Sequence, residues 1–214
     1  ELREVLRAVN PDIVFLQEVR GHFDKNSWGP QFEFLADQIW PHFAYGKNAV
    51  YTKGHHGNAI LSKFPIEFHH NLDISTSRLE RRGLLHATVK VPKIGDLHLF
   101  CIHLDLLERG RKVQMENVVK KIESTVDRGC AMILAGDFND WRIRISDHLN
   151  KHLQLNEAGL SHLGRHAKTF PTVRPTFALD RIYFRGLNLK YFEVLREGAW
   201  QNLSDHLAVS ASFG

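Results

Sequence analysis

The sequence predicts one α/β domain in which β-sheets are stacked and helices lie on the outside. Apolar runs of strand length outnumber helical patterns along the 214 residues, and the longest helical pattern, residues 109–127, lies between pairs of predicted strands. The chain contains no repeat, low-complexity tract or linker. A chain of this length can bury a sizeable core, so we expect residues 1–214 to form a single domain.

Composition limits the class of protein. Hydrophobic residues make up 43% and charged residues 24%, as in ordinary globular proteins. No apolar run approaches the roughly 20 residues that span a bilayer, so no transmembrane segment is predicted. No signal peptide is visible, which favours a cytoplasmic protein, and nothing indicates an obligate protein partner. The net charge of +4 is compatible with a phosphate-bearing substrate.

Each predicted element follows from the spacing of its apolar residues. Helical spacing over 1–9 is ended by Asn10-Pro11, and a second helix is expected over 30–39. Apolar runs bounded by turn residues predict strands over 13–16, 43–45, 49–51, 58–61, 66–68, 84–91, 97–103, 130–135, 179–184, 187–194 and 207–213. We expect the strand at 187–194 to neighbour the one at 179–184. The stretch from 141 to 175 is predicted to be irregular.

The strand around which the rest is organised is Cys130–Ala135, six apolar residues between Gly129 and Gly136. A continuous apolar run of this length predicts a strand buried on both faces. After Gly136 the chain presents Asp137 and Asn139, with Phe138 turned back into the core. Such a turn is either an ordinary solvated turn or a site for a metal, a phosphate or a water.

Other predicted strands also end in polar side chains. Catalytic groups often gather at one rim of a sheet, because strand ends are rigid. Carboxylate and amide oxygens suit Mg²⁺ or Mn²⁺, which leaves the histidines free for proton transfer. The strand-end residues are Glu18, His103, Asp137 with Asn139, Asp180, and Asp205 with His206.

These residues lie in five short motifs, in the order Gln17-Glu18, Ile102-His103-Leu104, Gly136-Asp137-Phe138-Asn139, Leu179-Asp180-Arg181-Ile182 and Ser204-Asp205-His206. The set resembles the endonuclease/exonuclease/phosphatase superfamily, which includes nucleases, sphingomyelinases and inositol phosphatases. The resemblance spans nearly the whole chain. It implies a four-layer α/β/β/α sandwich of two mixed β-sheets with the site at one end. It also implies a Mg²⁺-dependent hydrolase of phosphodiester bonds.

The resemblance assigns roles to the acids and to one histidine. Glu18 resembles the principal metal ligand of the family, and Asp205 resembles its other acidic group near the metal. His206 resembles the base that activates water. Asp180 resembles the carboxylate that orients this base. Such a pair suits a hydrolysis in which water attacks phosphorus.

The resemblance assigns the remaining strand-end residues to the phosphate. His103 matches the histidine that binds the phosphate and stabilises its developing charge, while Asp137 and Asn139 match the pair that positions the nucleophile and the phosphate. Gly57-Asn58 and the cationic loop at 78–82 fall where family members often line the substrate cleft. The weaker substrate-binding candidates are therefore Asn58, Arg81 and Arg82.

Three functions remain open from the sequence. The first is a phosphodiesterase that acts on nucleic acid, which would need a basic groove bearing aromatic side chains. The second keeps the chemistry but acts on a phospholipid or another small phosphoester. A lipid enzyme would show an exposed apolar rim, built from the loops near Trp28 or Trp141. The third, a non-catalytic binding module, has no need for both histidines together with all the matching acids.

The resemblance also predicts a gap in one sheet. Family members usually begin with a strand that carries an asparagine facing the metal, just before a helix like that at 1–9. We therefore expect residues 1–214 to lack the first strand. The strand next to the gap would expose backbone donors and acceptors, which favours association with another chain.

Overall fold

The computed structural model describes residues 1–21, 31–36, 39–51, 54–77 and 80–214, and it contains both helices and strands. The helices are α1 (Leu2–Val9), α2 (Gln31–Ala36), α3 (Glu108–Thr125), α4 (Ile145–Leu153) and α5 (Ala158–Leu163), with a short 3₁₀ helix at Gly198–Gln201. The strands are β1 (Ile13–Arg20), β2 (His42–Tyr51), β3 (Gly54–Ser62), β4 (Ile66–Asp73), β5 (Gly83–Val91), β6 (Gly95–His103), β7 (Ala131–Asp137), β8 (Asn156–Glu157), β9 (Asp180–Arg185), β10 (Leu189–Val194) and β11 (Val209–Phe213).

The larger sheet has six strands in the order β4-β5-β6-β7-β9-β8. Strands β6 and β7 run parallel, and the other neighbours are antiparallel. Every residue of β7 is buried, as its continuous apolar run predicts. The long helix α3 connects β6 to β7, as a parallel pair requires.

A second layer of strands faces the six-stranded sheet. It consists of a three-stranded antiparallel sheet, β1-β3-β2, and a two-stranded antiparallel sheet, β10-β11. Apolar side chains from both layers form one core between them, including Ile60 of β3, Leu99 of β6 and Phe192 of β10.

Helices cover the outer face of each layer. Val118 and Ile122 of α3 pack with Phe100 and Leu134 on the six-stranded sheet. On the other side, Leu6 of α1 belongs to a core cluster with residues of α2, β1 and β3. The order helix, sheet, sheet, helix confirms the predicted sandwich.

Two predictions about the second half of the chain are wrong. The strand at 187–194 does not pair with β9; it forms β10 and pairs with β11, because buried Phe192 packs into the core between the layers. The stretch from 141 to 175 is also less irregular than expected. It contains α4, the short β8 and α5, whose buried Leu149, Leu153 and Ala158 pack into the core.

A groove interrupts the second layer. It has a volume of about 710 Å³ and is lined by Ile13–Gln17 of β1 and by Val209–Phe213 of β11. Leu2 and Leu6 of α1 also line it. Both β1 and β11 are edge strands in the described part of the chain. Among the described residues, no helix combines the length and the apolar character that a membrane crossing needs.

Candidate active site

The site begins as a row of residues across three neighbouring strands. His103, at the end of β6, is the backbone partner of Asp137 at the end of β7, and Asp137 is the partner of Asp180 at the start of β9. Gly136 makes this row possible. A Cβ atom on Gly136 would lie 1.9 Å from the carbonyl oxygen of Ile102, so a side chain would push β6 and β7 apart just before the site.

His103 is buried and is held in one tautomer. Its Nδ1 lies 3.4 Å from Nη1 of Arg82, which can only donate, so Nδ1 accepts and the proton lies on Nε2. Nε2 is 3.4 Å from a carboxylate oxygen of Asp137. Burial, together with the charges of Arg82 and His206, lowers the pKa of His103 to about 3. The ring is therefore a neutral donor.

Asp137 and Asn139 form a tight turn after β7. The backbone N–H of Asn139 donates to the carboxylate of Asp137 at 2.8 Å. The side-chain amide of Asn139 donates to the backbone carbonyl of Leu104 at 2.9 Å. Burial and the nearby charge of Asp180 raise the pKa of Asp137. Asn139 has a φ of 48°, a left-handed conformation that few residues other than glycine adopt readily. Phe138 is fully buried, as expected.

His206 and Asp180 form a hydrogen-bonded pair. Nδ1 of His206 lies 2.8 Å from Oδ2 of Asp180. With the proton of Nδ1 directed at Asp180, the other ring nitrogen, Nε2, is the one that can exchange a proton with a water or a substrate. Burial opposes charge on this ring, but the hydrogen bond to Asp180 and the charges of Asp180, Asp137 and Asp205 outweigh it and raise the pKa of His206 to about 9.

The segment from 169 to 172 holds His206 in place. The backbone N–H of Leu207 donates to the backbone carbonyl of Thr169 at 2.9 Å, and the backbone N–H of Thr172 donates to the backbone carbonyl of Asp205 at 2.8 Å. The ring of Phe170 lies 4.7 Å from the His206 ring, between centroids. These contacts restrict the imidazole to the orientation in which it meets Asp180.

Glu18 lies on the second layer and faces His103 across the gap between the layers. It is in a β-bulge of β1 between Leu16 and Val19, with a φ of 56°. The bulge turns its side chain outward, so that 67% of the side chain is exposed and one carboxylate oxygen is 3.8 Å from Nδ1 of His103. Positive φ values at both Glu18 and Asn139 place backbone strain at the site, which is typical of functional positions.

The donor set fits a hard divalent cation in part. Glu18 and Asp205 are both exposed carboxylates, whereas His103 is buried and neutral. Within the described ranges, no three His, Cys, Asp or Glu side chains form a cluster that could hold a metal ion. Mg²⁺ usually takes one or two carboxylates, several waters and the phosphate of the substrate, so the two exposed carboxylates are the residues that could hold it.

The three substrate-binding candidates line a polar cavity of about 200 Å³ beside Glu18 and His103. Arg81 pairs with Asp73 on the surface. Arg82 is more buried and bonds to both Glu80 and His103. Asn58 donates its amide group to the carbonyls of Gly83 and Cys101, so only its oxygen remains for a ligand. Arg78, of the same loop, lies outside the described residues.

Sequence reasoning missed a polar network behind Arg82. Burial, followed by a hydrogen bond with Asp105, raises the pKa of Glu80. Asp105 in turn accepts from Thr76 at 2.8 Å, and its backbone carbonyl accepts from Arg111 of α3. The only signal for this network in the sequence is that Asp105 comes two residues after His103.

A buried ion pair on the other side of the site was missed as well. Arg181 donates to Asp140 at 3.0 Å, and both side chains are almost fully buried. Arg181 follows Asp180 and Asp140 follows Asn139, so the pair ties together the two loops that carry these site residues. Sequence adjacency alone did not reveal it.

Comparison with known proteins agrees with this geometry. The profile described as "Endonuclease/Exonuclease/phosphatase family" matches residues 1–206. The chain belongs to this family. Members of the family are hydrolases that act on phosphoesters.

The chain also resembles individual members of the endonuclease/exonuclease/phosphatase family. It is 41% identical over 219 residues to the protein YbhP of Escherichia coli strain K12, covering 99% of this chain and 86% of that protein. A family member from Beutenbergia cavernae superposes with a TM-score of 0.83 at 22% identity, covering 98% of this chain and 64% of that one. A mannosyl-6-phosphatase from Bacteroides thetaiotaomicron gives a TM-score of 0.75 at 18% identity, covering 100% and 89%.

Proposed function

We propose that this protein is a metal-dependent phosphodiesterase in which His206 activates the attacking water. The observation that carries the proposal is the hydrogen bond from His206 to Asp180, which leaves Nε2 free beside the row formed by His103, Asp137 and Asp180. A carboxylate that holds the imidazole in orientation and stabilises its charged form is what a general base requires.

Glu18 and Asp205 would hold Mg²⁺, or Mn²⁺ in its place. When bound, the ion neutralises charge on the phosphoryl oxygens. Both carboxylates are exposed, so a hydrated cation can reach them. Asn139 and Asp137 are fixed by their own hydrogen bonds and present a rigid turn next to the phosphate.

In its neutral form, which becomes more populated as the pH rises toward the raised pKa of about 9, His206 takes the proton of a water molecule as the water oxygen forms a bond to phosphorus. The resulting imidazolium is stabilised by Asp180, whose carboxylate lies 2.8 Å away. His103, neutral and with its proton on Nε2, donates a hydrogen bond to a phosphoryl oxygen. The ester bond to the leaving oxygen breaks, and that oxygen takes up a proton from solvent. The products are an alcohol and a phosphomonoester.

The first test is the substitution His206→Ala, assayed with bis(4-nitrophenyl) phosphate and Mg²⁺. Loss of the base should reduce kcat by roughly 10²–10⁴-fold. His69→Ala is the matched control, because His69 is exposed on β4 and should be replaced without effect. A His206→Ala enzyme that keeps most of its activity, with circular dichroism like that of the wild type, would rule out this role.

The second test concerns Glu18 and uses binding as well as activity. Glu18→Gln removes the carboxylate charge and should raise the Mg²⁺ concentration for half-maximal thermal stabilisation roughly tenfold. Glu67→Gln is the control, since Glu67 forms a surface ion pair with Lys90. An unchanged Mg²⁺ titration of Glu18→Gln would show that the cation is held elsewhere.

A further inference from the structure

Exposed apolar side chains are concentrated on three loops that surround the site. The loops are 104–107, which follows His103, 138–144, which follows Asp137, and 170–177, which packs on His206. Their exposed large apolar side chains are Leu106, Leu107, Trp141, Ile143, Val173 and Phe177. We call these six residues the apolar rim.

The three loops contact one another, so the apolar rim is not a set of scattered residues. The Trp141 ring lies 4.8 Å from the Phe177 ring and 6.1 Å from that of Phe170, which itself contacts His206. Arg142 of the second loop forms an ion pair with Glu108, directly after the first loop, at 3.3 Å. The rim therefore lies next to the reacting groups.

The exposure of the rim is unusual for residues of this kind. Val173 is 97% exposed, in a turn where the N–H of Arg174 donates to the carbonyl of Pro171. Leu107 is 71% exposed. Single exposed apolar residues are common, but a cluster around a functional site marks a surface that meets another apolar phase.

Cationic side chains accompany the apolar rim. Arg174 is exposed on the third loop, and Arg142 and Arg144 are exposed on the second, where both are paired with the single carboxylate of Glu108. Apolar tips flanked by arginine are the combination that inserts between lipid tails while the cations meet headgroup phosphates. The net charge of +4 acts in the same direction.

We propose that the apolar rim docks on the surface of a phospholipid bilayer and that the substrate is a phospholipid, whose headgroup phosphodiester enters the site. This inference rests on the proposed function, because it names the substrate of the same site. The reaction is the one given above: water adds to phosphorus, one ester bond breaks, and the leaving oxygen takes a proton from solvent.

A nucleic-acid substrate fits the rim less well. Bases stack on free aromatic faces that follow a cationic groove. Trp141 packs against Phe177 and Phe170 at interplanar angles of 76° and 88°, so these rings form one cluster and not a row along a groove. The other four residues of the rim are aliphatic and have no ring on which a base could stack. The other region expected to form a rim, near Trp28, lies outside the described residues.

The test measures sedimentation of the protein with vesicles of equimolar phosphatidylglycerol and phosphatidylcholine. The double variant Leu107→Ser/Val173→Ser should partition to the vesicles roughly tenfold more weakly than the wild type, because each inserted apolar group adds to binding. Ile94→Ser is the control. Ile94 is an exposed aliphatic residue in the turn that starts β6, at the opposite end of that strand from His103.

The outcomes separate this inference from the proposed function. Weaker binding of the double variant with normal binding of Ile94→Ser supports the docking surface. No vesicle binding by the wild type, equal binding by the double variant, or binding of a single-stranded oligonucleotide in place of vesicles overturns it. Hydrolysis of bis(4-nitrophenyl) phosphate is measured in parallel. Hydrolysis without vesicle binding overturns only the lipid inference, whereas vesicle binding without hydrolysis overturns the phosphodiesterase and leaves the surface.

Discussion

The six-stranded sheet is continuous, whereas the layer of strands that faces it is split into two separate sheets. We call the first the complete sheet and the second the divided layer. In the six-stranded sheet, β7 is paired on both sides and every one of its residues is buried. The facing layer is divided into β1-β3-β2 and β10-β11, and the groove of about 710 Å³ is lined by an edge strand of each part. The site draws residues from both layers.

This difference separates the site residues into two groups. His103 and Asp137, on the complete sheet, are buried and held by neighbours. Glu18 and Asp205, on the divided layer, are exposed. The groups assigned to phosphate binding are thus preorganised by the complete sheet, as is Asp180, which orients the base. The base His206 and the groups assigned to the metal belong to the part that is less enclosed.

The largest effect is expected from completing the divided layer. A further strand, fused ahead of residue 1, should pair with the edges of β1 and β11 and fill the groove. Filling it buries two or three large apolar side chains, so the free energy of unfolding should rise by at least about 4 kcal/mol. Chemical denaturation of residues 1–214, compared with a form extended by such a strand, measures this.

Size-exclusion chromatography of the same two forms provides the control. The edges of β1 and β11 should pair with other molecules in the shorter form and with the added strand in the longer one. If the extended form is no more stable and no more monomeric, the groove does not accept a strand.

A smaller effect on stability is expected at Gly136, where β6 and β7 of the complete sheet approach each other closely. Gly136→Ala places a Cβ atom 1.9 Å from a backbone oxygen of β6, and it should lower the free energy of unfolding by about 3 kcal/mol. Gly129→Ala is the control, because its Cβ meets no atom within 4 Å. Equal stability of the two variants in urea denaturation would mean that β6 and β7 can separate at no cost.

The smallest effect concerns His86, which is buried on β5 of the complete sheet and stacks on Phe100. Burial, followed by the charges of His98, Lys121 and His70, lowers the pKa of His86 to about 4. The unfolded chain, with its ordinary pKa near 6.5, therefore binds more protons below pH 6.5, and stability falls as the pH drops toward 4.

Between pH 7 and pH 4.5 this one ring should cost about 2 kcal/mol of stability. His86→Phe should remove that loss, so its stability relative to the wild type should increase by the same amount on acidification. His69→Phe, at an exposed position, should follow the wild type at both pH values. The free energy of unfolding of each protein is measured as a function of pH. If it falls equally for the wild type and His86→Phe, His86 is protonated without penalty in the folded protein.

Much of the fold could be predicted because periodicity is a local property. The continuous run from Cys130 to Ala135 predicts a buried strand, and the helical spacing of 109–127 predicts α3 within two residues of each end. The partner of β10 could not be predicted, since pairing depends on where Phe192 finds a core, not on its neighbours in sequence. The helices between β7 and β9 were missed because polar residues and histidines interrupt their apolar spacing.

The site could be predicted as a set of residues, and the structure brings His103, Asp137, Asp180 and His206 together. Their roles, and those of Glu18 and Asp205, stay predictions. The network through Arg82, Glu80 and Asp105 was not predictable, because it joins two loops whose contacts exist only after folding. The substrate-binding role of Asn58 also stays a prediction, and it rests on the side-chain oxygen alone, since the amide hydrogens are donated to the backbone of two other strands.

The buried pair of Arg181 and Asp140 has a consequence for chimaeric proteins. Each residue of the pair follows a site residue directly, so the loops 137–140 and 178–181 form one unit although about forty residues separate them. Exchange of one loop between relatives would leave a buried charge without its partner, whereas exchange of both would keep the pair. Across the family, a change at either position should therefore be accompanied by a change at the other.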